Sequence, residues 1–315
     1  MLAWCAARPT LAQAQAPGDQ LSILCSGPAG SVPDIVARLV AQQLSARSGR
    51  RAVVDNRPGA AGQIAVNALK LSRGDGHSML LAQGAIATIY PFLYPRLGYD
   101  PALDLRPVSL AGEMTLGLAI GPAVPATVTS VPELVEWMRR NPRLANAGSP
   151  GAGTLPHLLE AMLFRAAGVQ WEHVVFAGGP PALVALLGGH VAVLVLPEGL
   201  LRQHAAAGRL RVLATSGAAR SAFMPQVPTL VEQGYVDLVV REWFAFFMPG
   251  STAPGVVDAA SLALREALGQ PVLMQAFAES GMVAASSTPA ALASRIAAEQ
   301  RTWEAVIRGA GIQVE

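Results

Sequence analysis

Short apolar segments alternate with longer segments of helical periodicity along most of this chain, and this alternation restricts the fold more than any other feature. In the first third, residues 21–25, 52–54 and 78–81 are predicted as strands, with helices at 33–48 and 63–71 between them. Strands separated by helices are typical of an α/β fold with wound sheets. The first unit is therefore predicted to be βαβαβ with right-handed connections.

A second wound unit is predicted in the middle of the chain, with strands at 173–176, 191–196 and 211–215 and helices at 181–187 and 199–206. Two further extended segments, 108–120 and 242–248, lie in opposite halves of the chain. We interpret them as two hinge strands that join two wound α/β lobes. The first lobe is predicted to comprise residues 17–120 and 240–315, and the second lobe residues 121–239.

The C-terminal part is predicted to be helical. Pro254, Pro271 and Pro289 each stand near a helix start, where the missing N–H of proline costs nothing. In the last helix Leu292, Ile296, Trp303 and Ile307 share one face, which we interpret as core, with a partner-binding face as the alternative.

The apolar stretch at 180–201 is long enough to suggest a membrane span. Two glycines interrupt it at 188–189, Pro197 ends it, and its second half is rich in β-branched residues. We therefore predict a helix followed by a buried strand.

The composition restricts the class of partner. Among 315 residues, 52% are hydrophobic and 14% charged, which excludes a disordered chain. The formal net charge is +2 and the basic residues are scattered, so no nucleic-acid partner is expected.

The N-terminal segment, residues 1–16, resembles the end of a secretory signal. A small-residue cleavage pattern occurs at 12–14, with 14–16 as an alternative, although a basic region and a long apolar run are missing. We interpret it as a signal-peptide remnant and expect export to the periplasm; a short disordered tail is the alternative. Removal of this segment would take away Cys5 and leave Cys25, predicted to be buried and inert, without a disulfide partner.

The loop at 26–34, between the first strand and the first helix, is the first candidate for ligand binding. Ligands of open α/β sheets bind at the carboxyl ends of strands, and helix N-termini present unpaired N–H groups to anions. No residue of this loop is cationic, so backbone amides and Ser31 would hold the anion. A glycine- and proline-rich turn capped by Ser31 is the alternative.

Two loops of the second lobe are similar. Residues 149–157 supply hydroxyls and free amides at a helix start, and Gly178 and Gly179 precede another helix. A dinucleotide site is not supported there, because Pro156 stands where the third glycine of that motif belongs. His157 and Glu160 could approach one metal, but no third ligand is evident, so no metal or cofactor is predicted.

These loops, in this order, resemble those of the Bug family, the extracytoplasmic receptors associated with tripartite tricarboxylate transporters. The segment at 54–62 is similar to the family pattern V-[ED]-N-R-P-G-A-x-G, and similar motifs occur at 93–110, 178–189, 227–234 and 243–251. The resemblance extends over roughly residues 20–314. It implies a type II periplasmic-binding-protein fold that closes on a ligand, usually a carboxylic acid.

The resemblance also implies which residues surround the ligand. The first lobe would contribute two groups, and the second lobe would close over them. The implied residues are Ala29, Gly30, Ser31 and Asp34 in the first loop, Gln83, Gly84 and Ala85 in the next wall, and Ser149, Gly153, Thr154, His157, Gly178 and Gly179 in the second lobe.

The chain also departs from the family pattern. Ser26 and Gly27 replace Pro-Phe in the first loop, Ser31 replaces a glycine, and Pro33 removes a hydroxyl and an N–H. The acidic residue that often follows the strand at 191–196 is replaced by Pro197, with Glu198 next, and we include Glu198 among the candidates. A simple or aromatic carboxylate is therefore easier to accommodate than an amino acid.

The leading functional hypothesis is a monomeric solute-binding receptor, not an enzyme, whose closed form docks on a membrane permease. A sensor subunit that presents its ligand to a signalling ectodomain is the first alternative. An exported hydrolase is the second, but the chain has no G-x-S-x-G motif and no evident base for Ser149.

Overall fold

The protein contains two mixed β-sheets, and its helices pack against them. A computed structural model describes residues 20–310. The strands, in chain order, are β1 Gln20–Cys25, β2 Arg51–Asn56, β3 Ser78–Gln83, β4 Leu105–Met114, β5 Leu116–Ile120, β6 Asn146–Ser149, β7 Glu172–Val175, β8 Val193–Pro197, β9 Arg211–Thr215, β10 Glu242–Pro249 and β11 Val283–Ala284. The helices are α1 Val32–Ser48, α2 Gln63–Lys70, α3 Ala85–Thr88, α4 Tyr90–Leu93, α5 Pro101–Asp104, α6 Val131–Arg140, α7 Leu155–Ala166, α8 Gly179–Leu187, α9 Glu198–Ala206, α10 Pro254–Leu268, α11 Pro271–Glu279 and α12 Pro289–Ala310.

The first lobe is built on the six-stranded sheet β11-β4-β10-β3-β1-β2. Strand β1 pairs in parallel with both β2 and β3, so the predicted βαβαβ unit is confirmed. Helix α1 ends as expected, because Gly49 adopts the left-handed conformation with φ of 69° and its N–H donates to Ser45. Strand β10 is inserted antiparallel between β3 and β4 and is buried along its whole length.

The second lobe is built on the five-stranded sheet β7-β6-β8-β5-β9. The predicted second unit, 173–215, is not continuous, because β6 lies between β7 and β8, and β5 lies antiparallel between β8 and β9. Strand β6 was not predicted from the sequence. Its residues, Asn-Ala-Gly-Ser, are neither β-branched nor large and apolar, so only tertiary pairing makes them a strand.

The chain passes from the first sheet to the second at Thr115, between β4 and β5. The boundary predicted after residue 120 therefore differs from the structure, because β5 pairs with β8 and β9 of the second sheet. The sequence of an extended segment indicates that it forms strands, but it does not indicate the sheet with which they pair. The chain returns from the second sheet to the first between Val240 and Glu242. The N–H of Val240 donates to Ser216 O, and Glu242 is the first residue of β10, where it pairs with Met114. We call the two crossings, at Thr115 and between Val240 and Glu242, the interlobe passages.

The apolar stretch at 180–201 forms α8, β8 and the start of α9, as predicted. Within residues 20–310 no helix is both long and apolar enough to cross a membrane. The predicted C-terminal helices begin at Pro254, Pro271 and Pro289. Leu292 and Ile307 are buried, with Ile296 and Trp303 packed against the same cluster, so the interpretation of that helix face as core is confirmed.

Cys25 is buried without exposed surface, as predicted, and burial raises the pKa of its thiol to about 11. At neutral pH the thiol is therefore protonated and poorly nucleophilic. The predicted signal-peptide remnant at 1–16 lies outside the described residues.

Candidate ligand-binding cavity

A cavity of about 590 Å³ lies between the two sheets, and both lobes contribute to its wall. Most of its lining comes from loops that follow the carboxyl ends of parallel strands, as expected for an α/β ligand site. The first lobe contributes the loops after β1 and β2, and the second lobe those after β6 and β7. The lining residues include Ser26, Pro28, Ser31, Val32, Ala61, Gln83, Tyr94, Ala152, Thr154, Phe176, Gly178, Gly179, Glu242 and Phe244.

Three helices begin at this cavity: α1 and α7 with Ser31 and Thr154 at the N-cap, and α8 with Gly178 there. Neither hydroxyl caps its helix; each donates instead to the preceding loop, Ser31 to Pro28 O at 2.5 Å and Thr154 to Gly151 O at 2.7 Å. Within residues 20–310, the N–H groups of Val32 and Gly179 have no hydrogen-bond acceptor. Helix N-termini with free amides attract anions.

The cavity wall is otherwise nearly neutral. Its lining residues, all within the described chain, include no Lys, Arg or His, and Glu242 is the one acidic residue among them. An anion in this cavity would therefore be held by backbone dipoles, with water where the amides do not reach it directly.

Asp34 fixes the first loop rather than facing the cavity. The residue is 3% exposed, and its carboxylate accepts hydrogen bonds from Gly30 N at 3.0 Å, Asn56 Nδ2 at 2.9 Å and Arg38 Nε at 3.1 Å. Burial opposes ionisation, but the hydrogen bonds from Arg38, Gly30 and Asn56 outweigh it and hold the pKa of Asp34 below its usual value. The charged Asp34 therefore holds the loop closed around the start of α1.

Gln83 joins three segments of the first lobe. Its Oε1 accepts from Ser26 Oγ at 2.9 Å, and its Nε2 donates to Ala61 O at 2.6 Å. The hydroxyl of Tyr90 donates to the same Ala61 carbonyl at 2.9 Å. These bonds hold Ala61 at φ of 52°, a left-handed conformation that is costly for a residue with a Cβ.

A stacked histidine pair lies behind the loop of the second lobe. The rings of His157 and His173 are 3.7 Å apart and nearly parallel, and Nδ1 of His157 accepts from Gly153 N at 3.0 Å. Burial lowers the pKa of both histidines to about 4, and for His157 the neighbouring His173 contributes. Both rings are therefore neutral at pH 7.

The Oγ of Ser149 lies 2.7 Å from His173 Nε2, a serine–histidine contact that was not predicted from the sequence. Ser149 has no exposed surface, and neither residue lines the cavity. In the described part of the chain no carboxylate bonds to His173. The pair therefore cannot reach a bound ester, and it supports loop structure rather than the hydrolase hypothesis.

No metal site is formed by the pair His157 and Glu160. Glu160 is fully buried and accepts from Val195 N at 3.0 Å. Across residues 20–310 there is no group of three potential metal ligands.

The two lobes contact each other at the cavity. The hydroxyl of Tyr94, from the first lobe, donates to Ala152 O of the second lobe at 2.6 Å. Gly178 of the second lobe packs so closely on Pro28 that a Cβ on the glycine would lie 2.6 Å from the proline ring. The two lobes therefore touch each other beside the cavity in this structure.

Five of the predicted site residues line the cavity: Ser31, Gln83, Thr154, Gly178 and Gly179. The others lie elsewhere. Ala29 and Gly30 are exposed, Asp34 and Gly153 stabilise loops, Ser149 and His157 lie behind the loop of the second lobe, and Gly84 and Ala85 line a separate cavity of about 200 Å³.

Glu198 does not line the cavity; it contacts Thr115, where the chain crosses from the first lobe to the second. Its Oε1 accepts from Thr115 at 2.6 Å and from Ser221 at 2.7 Å, and it is 1% exposed. Pro197 ends β8, and the Glu198 carboxyl that follows it contacts Thr115 rather than the cavity.

The loop at 58–62 also lines the cavity, as do Tyr94, Phe176, Glu242 and Phe244, and none of these was predicted from the sequence as a site element. The loop at 58–62 follows the carboxyl end of β2, so the strand-end rule applied to the first loop would also have indicated it. Tyr94, Glu242 and Phe244 reach the cavity through tertiary packing and carry no local signal.

Comparison with known proteins assigns the family. The model of the tripartite tricarboxylate transporter family receptor matches residues 36–312. Protein BugT of Bordetella pertussis is 31% identical over 300 residues, which cover 95% of this chain and 91% of BugT.

Two solved structures have the same fold. The periplasmic binding protein BugD has a TM-score of 0.89 at 26% identity, covering 95% of this chain and 100% of that one. Rpa4515 of R. palustris, solved with adipate, has a TM-score of 0.89 at 28% identity, covering 95% and 99%. The type II periplasmic-binding-protein fold is thus confirmed, and the chain belongs to the tripartite tricarboxylate transporter receptor family, a family of solute-binding receptors and not of enzymes.

Proposed function

We propose that this protein is a monomeric periplasmic receptor that closes on a small carboxylate between its lobes and delivers it to membrane permease subunits of the tripartite tricarboxylate type. The observation that carries the proposal is the convergence of helix N-termini from both lobes on one cavity without a cationic side chain. Backbone amides bind a carboxylate while leaving the rest of the ligand to the shape of the pocket.

The relatives support this assignment. Rpa4515 was solved with adipate, and BugD is a periplasmic binding protein. The cavity of about 590 Å³ lies within the usual size range of small-molecule sites.

The proposal is tested by thermal melting and calorimetry of the purified protein with a panel of carboxylates. A ligand that binds only the folded form stabilises it by about 2.7 kcal/mol at a hundred times its Kd, so melting should move upward with concentration. Native mass spectrometry of freshly purified protein tests the same point, because a retained cellular ligand adds its mass. A panel without any shift, together with a protein free of added mass, would contradict the proposal.

A charge placed at the first loop tests where the carboxylate binds. Ser31→Asp puts a carboxylate at the N-cap of α1, where Asp is favourable for the helix but repels an anionic ligand. We expect at least about a hundredfold weaker binding with the fold retained. Ser130→Asp is the matched control, because Ser130 caps α6 outside the cavity. Equal affinity of the two variants would place the anion elsewhere.

A further inference from the structure

Glu242 has an unusual position for a carboxyl group. It lies at the return passage between the lobes, lines the main cavity, and also borders the smaller cavity of about 200 Å³ next to α12. The residue is 5% exposed. Within residues 20–310 no group donates a hydrogen bond to its carboxyl oxygens or accepts one from them.

The hydroxyl donors of the cavity and the amide of Gln83 already have acceptors, and the side chain of Gln63 interacts with the Tyr94 hydroxyl. The hydroxyls of Ser31, Thr154 and Tyr94 each donate to a backbone carbonyl, and Ser26 donates to Gln83. The amide of Gln83 is occupied by Ala61 and Tyr90. Glu242 is therefore a polar group of the wall that remains available to a ligand.

The surroundings of Glu242 disfavour its charged form. The nearby Arg295 of α12 is bonded to Glu299 and to Glu113 of β4, and Arg241 is largely exposed and 3.9 Å from Glu113. Burial, with the negative charge of Glu299, raises the pKa of Glu242 to about 8. Tyr90 of α4, whose charge would interact with that of Glu242, is neutral because burial raises its pKa. At pH 7 the Glu242 carboxyl is therefore mostly protonated and can donate.

A buried carboxyl without a partner lowers stability, so its presence at a cavity wall indicates a role in binding. We infer that Glu242 recognises a second acceptor group of the ligand, a distal carboxylate or hydroxyl, by donating a hydrogen bond from its carboxyl group. The receptor then selects dicarboxylates or hydroxycarboxylates over plain monocarboxylates of the same length. This inference rests on the proposed function and specifies the substrate class of the same cavity.

The test uses calorimetry with matched pairs: succinate and butyrate, glutarate and pentanoate, adipate and hexanoate. The wild-type protein should prefer at least one dicarboxylate by about tenfold or more. Glu242→Gln keeps a neutral donor and should keep that preference within about threefold. Glu242→Leu removes the donor and should abolish the preference while monocarboxylate binding remains. Glu266→Gln and Glu266→Leu are controls, because Glu266 is an exposed carboxylate of α10 outside the cavity.

The pH dependence adds a readout that a purely structural role would not change. In the wild-type protein the preference should decline as pH rises through about 8, where Glu242 ionises and repels a second carboxylate. In Glu242→Gln the preference should not change over that range. Glu242→Leu should also melt at a higher temperature without ligand, which would show that the variant folds.

The outcomes separate the two proposals. If monocarboxylates and dicarboxylates bind equally to the wild type and to Glu242→Leu, the inference about Glu242 is overturned and the proposed function stands. If an amino acid binds best and Glu242→Gln loses it, Glu242 acts as an anion and the inference is also overturned. If no carboxylate binds the wild-type protein at any pH, the proposed function itself is wrong.

Discussion

The stacked pair His157 and His173 makes this protein sensitive to acid. Both imidazoles are neutral in the fold because burial lowers their pKa to about 4, whereas the usual value in an unfolded chain is about 6.5. The unfolded state therefore binds more protons between these values, and stability falls as pH decreases from about 6.5 to 4.

Thermal melting at pH 7, 6 and 5 measures this loss. Replacing both histidines by glutamine should flatten the decline, while His190→Gln, at an exposed position, should leave it unchanged. An equally steep decline in the double variant would assign the acid sensitivity to other groups.

Gly178 allows the two lobes to approach each other closely because it has no side chain. Its φ is 112°, and a Cβ there would lie 2.6 Å from Pro28 of the other lobe. Gly178→Ala should weaken ligand binding by about tenfold or more, because the lobes can no longer approach fully. Affinity is measured by calorimetry.

Gly208→Ala provides the control for backbone strain alone. Gly208 has φ of 69°, and apart from its chain neighbours no atom of residues 20–310 lies within 4 Å of the position that an added methyl group would take. The substitution should therefore cost about 1–2 kcal/mol of stability and leave affinity unchanged. Equal effects of both variants on affinity would argue against a contact role for Gly178.

At the scale of secondary-structure elements, α12 is fastened to β10 by Glu299. Its carboxylate accepts from Trp243 Nε1 at 2.9 Å and from Arg295 Nε at 2.8 Å, and the Arg295 guanidinium lies over the Trp243 ring. Glu299→Ala should lower the free energy of unfolding by about 1.5–3 kcal/mol, since it leaves the Trp243 indole N–H without its acceptor and removes one of the two carboxylates bonded to the half-buried Arg295.

Urea denaturation measures this difference. Glu304→Ala is the control within the same helix, because the partner of Glu304 in the described part of the chain is the exposed Arg308 and the loss of this pair should cost about 0.5 kcal/mol or less. Similar losses for both variants would show that α12 is held by its apolar face alone.

At the scale of the whole molecule, the hydroxyl of Tyr94 joins the two lobes. Tyr94→Phe removes the hydrogen bond to Ala152, which forms only when the lobes are together. We expect ligand affinity to fall about threefold to tenfold, since a hydrogen bond contributes about 0.5–1.5 kcal/mol net. The melting temperature without ligand should change less.

Tyr99→Phe removes an equivalent bond within the first lobe, to Ile86 O at 2.8 Å. That variant should lose stability and keep its affinity within about twofold. The opposite pattern would mean that the Tyr94 contact is not part of closure.

The sequence by itself determined the two-lobed α/β class, the first wound unit and the C-terminal helices. Those features depend on local signals: apolar periodicity, Gly49 at a left-handed cap, and prolines at helix starts. It also indicated Ser31, Thr154 and Gly178 for the cavity, because N-caps and glycine turns at strand ends are readable in a linear chain.

Only the tertiary structure decided the rest. Strand β6 and the sheet to which β5 belongs depend on pairing between distant segments, which no local pattern encodes. The placement of Glu198 at the interlobe passage and of Glu242 at the cavity wall follows from how the two sheets pack. Burial and neighbouring charge, which set the protonation of such carboxyls, exist only once the chain has folded.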